Sequence, residues 1–417
     1  MKSARLLLLL GVFAWLGGIT VSAQDSGGAD DFDPFDVSAF ESSVVGAVES
    51  DDTARSEFLF GATFVPSINA IFTDKFEGAI SSANISGKAF AKLSSSDYGT
   101  IFIAYSLAHQ VFQGRGGNVP PVAVPAKDLF APVLSLSEFH YSFDIAKTVF
   151  LRFGNQLLAW GPSRIWTPVD FVNPQKMDSF QTIDTRAGRP SLRIHIPLES
   201  SNLFAFGDFS KTVKSGIVGD LFESANLGLR YDIALGGFEF GFTGYGGLST
   251  QGRLGLDMAG RLLGFTVYGE AAILPAYDTY DYSWSASLGV ERKFGQLKKA
   301  TLTGEVFYNS KGEADESNYA ALIAAKAFSP MYVGQIYAYL GFTLDEFLSP
   351  DLSTSLSLLS NLSDLSFQAR LTESFSLRGA PPFSFILGWS GGGDKKAYTY
   401  YSGTNALSAT LQTRIEF

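Results

Sequence analysis

The stretch LSEFHYSFDI sets Glu138, His140, Ser142 and Asp144 two residues apart, alternating with Phe139, Tyr141, Phe143 and Ile145. A serine and an imidazole flanked by carboxylates are the parts of a nucleophile, a base and an orienting acid. A strand would carry all four on one face, because its side chains point alternately to either side. Lipid-cleaving enzymes built into a barrel wall use such a Ser–His pair, so a lipid-modifying enzyme is one reading of the row. Plain polar alternation accounts for the same residues without chemistry, and what the face looks onto decides between the two. Other groupings point to less. His109, His140 and His195 are the only histidines and there is no cysteine, so a transition-metal centre is not expected. Glu313, Asp315 and Glu316 lack the positional pattern of a calcium loop. Glycine-rich runs such as LGGFEFGFTGYGG lie within strand-like sequence, not between a strand and a helix as a phosphate cradle requires. Neither a metal nor a cofactor is expected.

The elements that would hold the row are short alternating segments recurring from residue 58 to the C-terminus. In ESANLGLRYDI, Ala225, Leu227, Leu229, Tyr231 and Ile233 alternate with Ser224, Asn226, Gly228, Arg230 and Asp232. The next such run, GGFEFGFTGYGG, follows a tight turn at 234–237, and similar turns are expected at Ala146-Lys147 and near Gly260-Arg261. The chain ends ALSATLQTRIEF, again with period two, on a phenylalanine. No run of eighteen apolar residues follows residue 23, which excludes a membrane-spanning helix of the usual length. The 43 glycines and 37 phenylalanines, with only 17% charged residues, suit strands that face lipid on one side and a polar space on the other. The expected fold is all-β: a single transmembrane antiparallel β-barrel over residues 58–417, with about sixteen strands (between about fourteen and eighteen), short periplasmic turns and long external loops. A β-sandwich or a lipocalin-like barrel is too small for this length. In the membrane barrel the polar row looks into the lumen, away from lipid, so no catalytic site is expected there.

Ahead of the barrel, Lys2 and Arg5 precede an apolar run and then Val21-Ser22-Ala23, the layout of a cleaved secretory signal over residues 1–23. Residues 24–57 hold ten acids against one base, Arg55, and read as an acidic periplasmic tail or linker that could contain a short helix. Acidity of this kind is unsuited to nucleic acid, and the absence of cysteine excludes disulfides and an N-terminal lipid anchor.

Gly154-Asn155-Gln156, Trp160-Gly161 and Asn173-Pro174 form the segment with most motif character. It resembles the Gly-Arg-Gln, Trp-Gly and Asn-Pro segment of porin-like outer-membrane barrels, with Asn155 standing where that family has arginine. The terminal strand, through Leu411, Ile415 and Phe417, resembles the signal read by the barrel assembly machinery. The resemblance implies a diderm bacterium, export, periplasmic chaperones and insertion into outer-membrane lipid, with a homo-trimer left open.

The function expected is passive diffusion of small-molecule solutes through a channel. Strand parity nominates Glu138, His140, Arg152, Gln156, Arg230 and Asp257 as pore-lining, and Trp160 for the membrane interface. The long loop from Gly161 to Arg189 carries Arg164, Asp170, Lys176, Asp178 and Arg186. It is expected on the external side with its charges solvated; the competing arrangement folds it into the pore as a constriction. Alternatives to the porin-like channel are a transporter of hydrophobic compounds, a closed barrel acting as an adhesin or structural protein, and, last, the lipid-modifying enzyme.

Overall fold

A computed structural model describes residues 56–73, 77–117, 131–172, 186–211, 224–248, 250–276, 281–295, 299–324, 332–377, 379–400 and 403–417. The expected leader and most of the expected acidic tail lie outside these residues, as do Asn173, Pro174, Lys176 and Asp178. The strands are β1 (Glu57–Thr73), β2 (Gly78–Ser95), β3 (Gly99–Gly117), β4 (Val133–Ile145), β5 (Val149–Gln156), β6 (Arg189–Leu198), β7 (Ser201–Asp208), β8 (Asn226–Leu235), β9 (Phe238–Gly247) and β10 (Thr250–Leu262). They continue with β11 (Phe265–Leu274), β12 (Ser283–Phe294), β13 (Ala300–Asn309), β14 (Ile336–Leu344), β15 (Leu352–Asn361), β16 (Ser366–Phe375), β17 (Phe383–Gly391) and β18 (Asn405–Thr413). After a break at Arg414, β18 is prolonged by the short β19 (Ile415–Glu416). Each strand pairs antiparallel with the next, and β1 pairs with β18 and β19, which closes the sheet into a barrel of 18 strands. Closure leaves no sheet edge to be satisfied by lipid, which is why barrels can span membranes. The count falls at the upper end of the expected range.

Alternation decides the two faces. In β8, Leu227 is 68% exposed while its neighbour Asn226 is 3% exposed, and Arg230 is at 9% between exposed Leu229 and Tyr231. Leu254, Leu256, Leu288, Val306, Leu340, Leu356, Leu358 and Trp389 continue the exposed outer surface across successive strands. An aliphatic exterior over a charged interior inverts a soluble barrel and fits a hydrocarbon surround. Connections such as 146–148, 199–200, 236–237 and 263–264 lie at one end of the barrel, and the long connections after β3, β5, β7 and β13 lie at the other. The turn expected near Gly260-Arg261 falls instead at Leu263 and Gly264, both at positive φ (53° and 81°). Alternation simply runs on to Leu262, and Gly260 stays in the strand, paired with Val267 and Phe238, where a Cβ would stand 2.3 Å from the Phe238 ring.

Two local features aim the side chains of β4 and β5. The β3–β4 register slips by one, with Ala104 opposite Glu138 but Tyr105 opposite Leu136. Ser137 is therefore a bulge, and both it and Glu138 turn inward; its Oγ lies 2.7 Å from Ser106 Oγ. Gly154 has φ +129°, and a Cβ there would stand 2.3 Å from the Phe139 carbonyl oxygen. Gly154→Ala should accordingly cost about 2–3 kcal/mol, read as an earlier midpoint in urea-dependent unfolding of the vesicle-inserted barrel.

Beyond β13 the end that carries the long connections is structured. A 3-10 turn at Glu316–Asn318 is capped by Asp315, whose side chain accepts from the Ser317 N–H, and leads into the helix α1 (Tyr319–Ala324). Tyr319, Val333 and Ala397 bury one another. The Asp364 carboxylate accepts from Ser366 and from the Ala397 N–H, and Lys396 reaches Glu316 at 3.1 Å. Of the three acids of the loop after β13, Asp315 caps the turn, Glu313 accepts from the Asn318 amide at 3.2 Å, and Glu316 ties the loop to Lys396 in the connection after β17.

Candidate permeation site

The first described stretch of the loop after β5, residues 157–172, does not lie in solvent outside the barrel, as was expected for it, but folds into the lumen. Leu158, Trp166, Val169, Phe171 and Val172 are all buried. Hydrophobic area accounts for part of this. Trp166 stacks on Phe307 at 5.5 Å and packs with Tyr337, Leu359 and Tyr398, while Leu158, Phe171 and Val172 pack with Phe206, Tyr245 and Ala272. A solvated loop would leave that apolar surface in water. Trp160 is likewise not at a membrane interface: its ring meets Phe206 edge-on at 6.0 Å within the inner cluster.

Two carboxylates from the barrel wall hold the backbone of this strap. Glu270 on β11 accepts from the N–H groups of Ser163 (2.9 Å) and Val169 (3.1 Å). Glu305 on β13 accepts from Arg164 (3.0 Å), Ile165 (3.2 Å) and Trp166 (2.8 Å). Both side chains belong to residues nearly closed to solvent, at 3% and 2% exposure. A buried carboxylate is tolerable only with its oxygens satisfied, and charge-assisted bonds from fixed N–H groups are the strong kind. Gly161, at φ +98°, allows the close approach, since a Cβ would stand 2.2 Å from Glu270 Oε1. Ser163 Oγ adds a 2.8 Å bond to Ser287 Oγ on β12. These contacts lie along β7 to β15, which leaves the arc from β16 through β1 to β6 as the facing wall.

The nominated residues divide by place. Arg152 donates from Nε to Ser142 Oγ at 3.1 Å, and His140 stacks on Phe102 at 5.1 Å with its Nδ1 3.5 Å from the same hydroxyl. Glu138 pairs with Lys88 at 3.2 Å and accepts the Leu157 N–H at the root of the strap. Asp144, the other acid of the row, accepts the Lys147 N–H in the adjoining turn. Within the row only His140 and Ser142 meet, while Glu138 and Asp144 bond to groups other than the imidazole. Gln156 is fully buried, its amide bonded to the Arg152 and Ser191 carbonyls. Arg230 forks onto Asp257 (2.6 and 2.9 Å) and reaches Asp232 at 2.8 Å, a closed ion cluster inside the wall. Removing the cation leaves two buried carboxylates facing each other without it, so Arg230→Ala should cost about 3–5 kcal/mol of barrel stability, measured by the same urea titration. Of the loop residues, Arg164 reaches Glu291 at 3.6 Å, and Arg186 reaches buried Asp170 at 3.7 Å.

Several residues of the site escape the sequence reading: Glu270, Glu305, Arg193, Lys88 and Trp166. Arg193 stands directly opposite Arg152 across the β5–β6 ladder and lies 5.2 Å over Phe204. Lys92 and Arg370 share the facing arc, Lys92 opposite buried Phe102 and Arg370 opposite buried Ser357. A signal for the anchors existed, since YGEAA and TGEVF each set a lone carboxylate at the inward parity of its strand.

At the seam, Ile415 pairs with Phe64, and Phe417 exchanges both backbone bonds with Ala62 (2.9 and 3.2 Å) while Leu411 faces outward. No family model matches the chain, and no curated protein does. Among solved structures it is similar to OccD3 (OpdP) of Pseudomonas aeruginosa, with TM-score 0.53 and 11% identity over 86% of this chain and 91% of that one. OccK2 (OpdF) of the same organism gives TM-score 0.52 and 10% identity, covering 86% and 97%. A BenF-like porin from Pseudomonas fluorescens Pf-5 gives TM-score 0.52 and 9% identity, covering 87% and 99%. At such identities the likeness is one of fold: the chain shares its closed antiparallel barrel with proteins that include a porin.

Proposed function

We propose that this chain is a porin-like channel of a bacterial outer membrane that passes small solutes by diffusion, anions ahead of cations. The observation that carries the reading is the inner surface: a barrel with a lipid-compatible exterior, a strap against one wall, and Lys88, Lys92, Arg152, Arg193 and Arg370 on the facing arc with Glu138 as its nominated acid. Rings and clusters of charge along a narrow path select the permeant by sign. In this reading Arg152 and His140 line the path, Glu138 sits where strap and wall meet, and Arg230, Asp257 and Gln156 stiffen the wall behind it. Arg164, Asp170 and Arg186 belong to the constriction. Export, periplasmic chaperones and the barrel assembly machinery bring the chain to the membrane, with Leu411, Ile415 and Phe417 as the assembly signal.

The test is planar-bilayer recording of refolded residues 24–417 beside a version starting at residue 57. Stepwise current with a reversal potential on the anion side is the expected result, and a larger current from the shorter form would assign a blocking role to the tail. A folded barrel that passes no ions overturns the channel and leaves the closed adhesin or structural barrel, or a transporter of hydrophobic compounds, as the better account.

A further inference from the structure

We propose that Glu270 and Glu305 are positioning residues that set the width of the pore by holding the strap off the solute path, and that they take no part in contacting the solute. The inference rests on the channel reading above. Each acid is a strand residue facing inward, and a carboxylate that met solute would keep an oxygen toward the lumen. Here the oxygens are turned to the strap: both oxygens of each accept main-chain N–H groups, from Ser163 and Val169 on Glu270 and from Arg164, Ile165 and Trp166 on Glu305. The strap backbone is fitted to them, since only a residue without a Cβ can stand at Gly161 against Glu270. A third carboxylate, Glu138, takes the Leu157 N–H where the strap leaves β5. Anchors on β4, β11 and β13 make the strap a span fixed at its root and again on the far wall. The aperture is then the gap between that span and the facing arc.

The chain has no cysteine, and the Ser163 and Ser287 hydroxyl oxygens are 2.8 Å apart, so sulfurs in their places need close by only about 0.8 Å to reach the S–S bond length of about 2.0 Å. The experiment compares wild type, Glu270→Ala/Glu305→Ala, and the same double variant carrying Ser163→Cys and Ser287→Cys, oxidised and reduced. Conductance and the exclusion limit for neutral polymers are recorded for each. The expected result is a shift of the exclusion limit to larger polymers in the double alanine variant and in the reduced quadruple variant, with return to the wild-type limit on oxidation. Glu270→Gln/Glu305→Gln, which keeps side-chain volume and one carbonyl acceptor per site, should shift it less, and it supplies the comparison if the alanine form does not fold. If wild type conducts and the folded variants keep its exclusion limit, the positioning role is wrong. If ion selectivity moves and oxidation does not restore it, the acids contact solute and the proposal is again overturned. A wild-type barrel without current would instead sink the channel reading itself.

Discussion

Arg152→Glu combined with Arg193→Glu is expected to convert an anion-preferring pore into a cation-preferring one. The two guanidinium groups occupy directly opposed positions on β5 and β6, a placement in which like charges repel and cost stability. Their joint presence sets two positive charges side by side on the arc. One unit charge about 6 Å from a permeating ion is worth roughly 1–3 kcal/mol between the dielectric limits of water and protein surface. Reversing two such charges should therefore change the anion-to-cation permeability ratio on the order of tenfold or more in dilute salt. The effect should shrink in 1 M salt, where the screening length falls to about 3 Å. Reversal potentials under a potassium chloride gradient give the ratio directly. An unmoved ratio at low salt would mean that solutes do not pass along this arc.

Removing residues 415–417 should be the most damaging change to the barrel as a whole. Those residues supply the pairing of Thr63 and Phe64 with Glu416 and Ile415, and the reciprocal bonds between Phe417 and Ala62. Without them part of β1 becomes a free edge at membrane depth, where each unsatisfied backbone group costs several kcal/mol. The outcome expected is loss of the compact, heat-resistant form on cold gel electrophoresis after refolding into vesicles. Phe417→Ala keeps the backbone bonds and gives up only the ring contact with Phe64, edge-on at 6.3 Å, so it should cost about 1 kcal/mol. If both variants refold like wild type in vitro yet fail to insert in cells, the terminal residues act through recognition by the assembly apparatus and not through closure.

The barrel was legible in the sequence because its signal is repeated. Period-two alternation puts Leu227, Leu229 and Tyr231 on one face and Arg230 and Asp232 on the other whatever the partner strand. The interior arrangement was far less legible. Ser137 turns inward beside Glu138 through a bulge, which no local composition marks. The turn after β10 is hidden because alternation continues through it. The strap was read as solvated because its charged side chains are conspicuous in the sequence, whereas what fastens it is main chain. A backbone N–H looks the same at every position, and its acceptors lie more than a hundred residues further along, on β11 and β13.

That mode of fastening separates how the strap is held from what it presents. Every residue except proline offers a main-chain N–H, so the bonds to the two carboxylates place no demand on side chains at half-buried Arg164 and Ile165, whereas Ser163, Trp166 and Val169 are also held by their own side chains. Pro162 and Pro168 stand beside these positions but not at them. Over evolutionary time such a strap can change its side chains one at a time, and with them the solutes it admits, while proline at an anchored position is barred and Glu270 and Glu305 are kept. Descendants of this barrel could diverge widely in diet and yet share one scaffold.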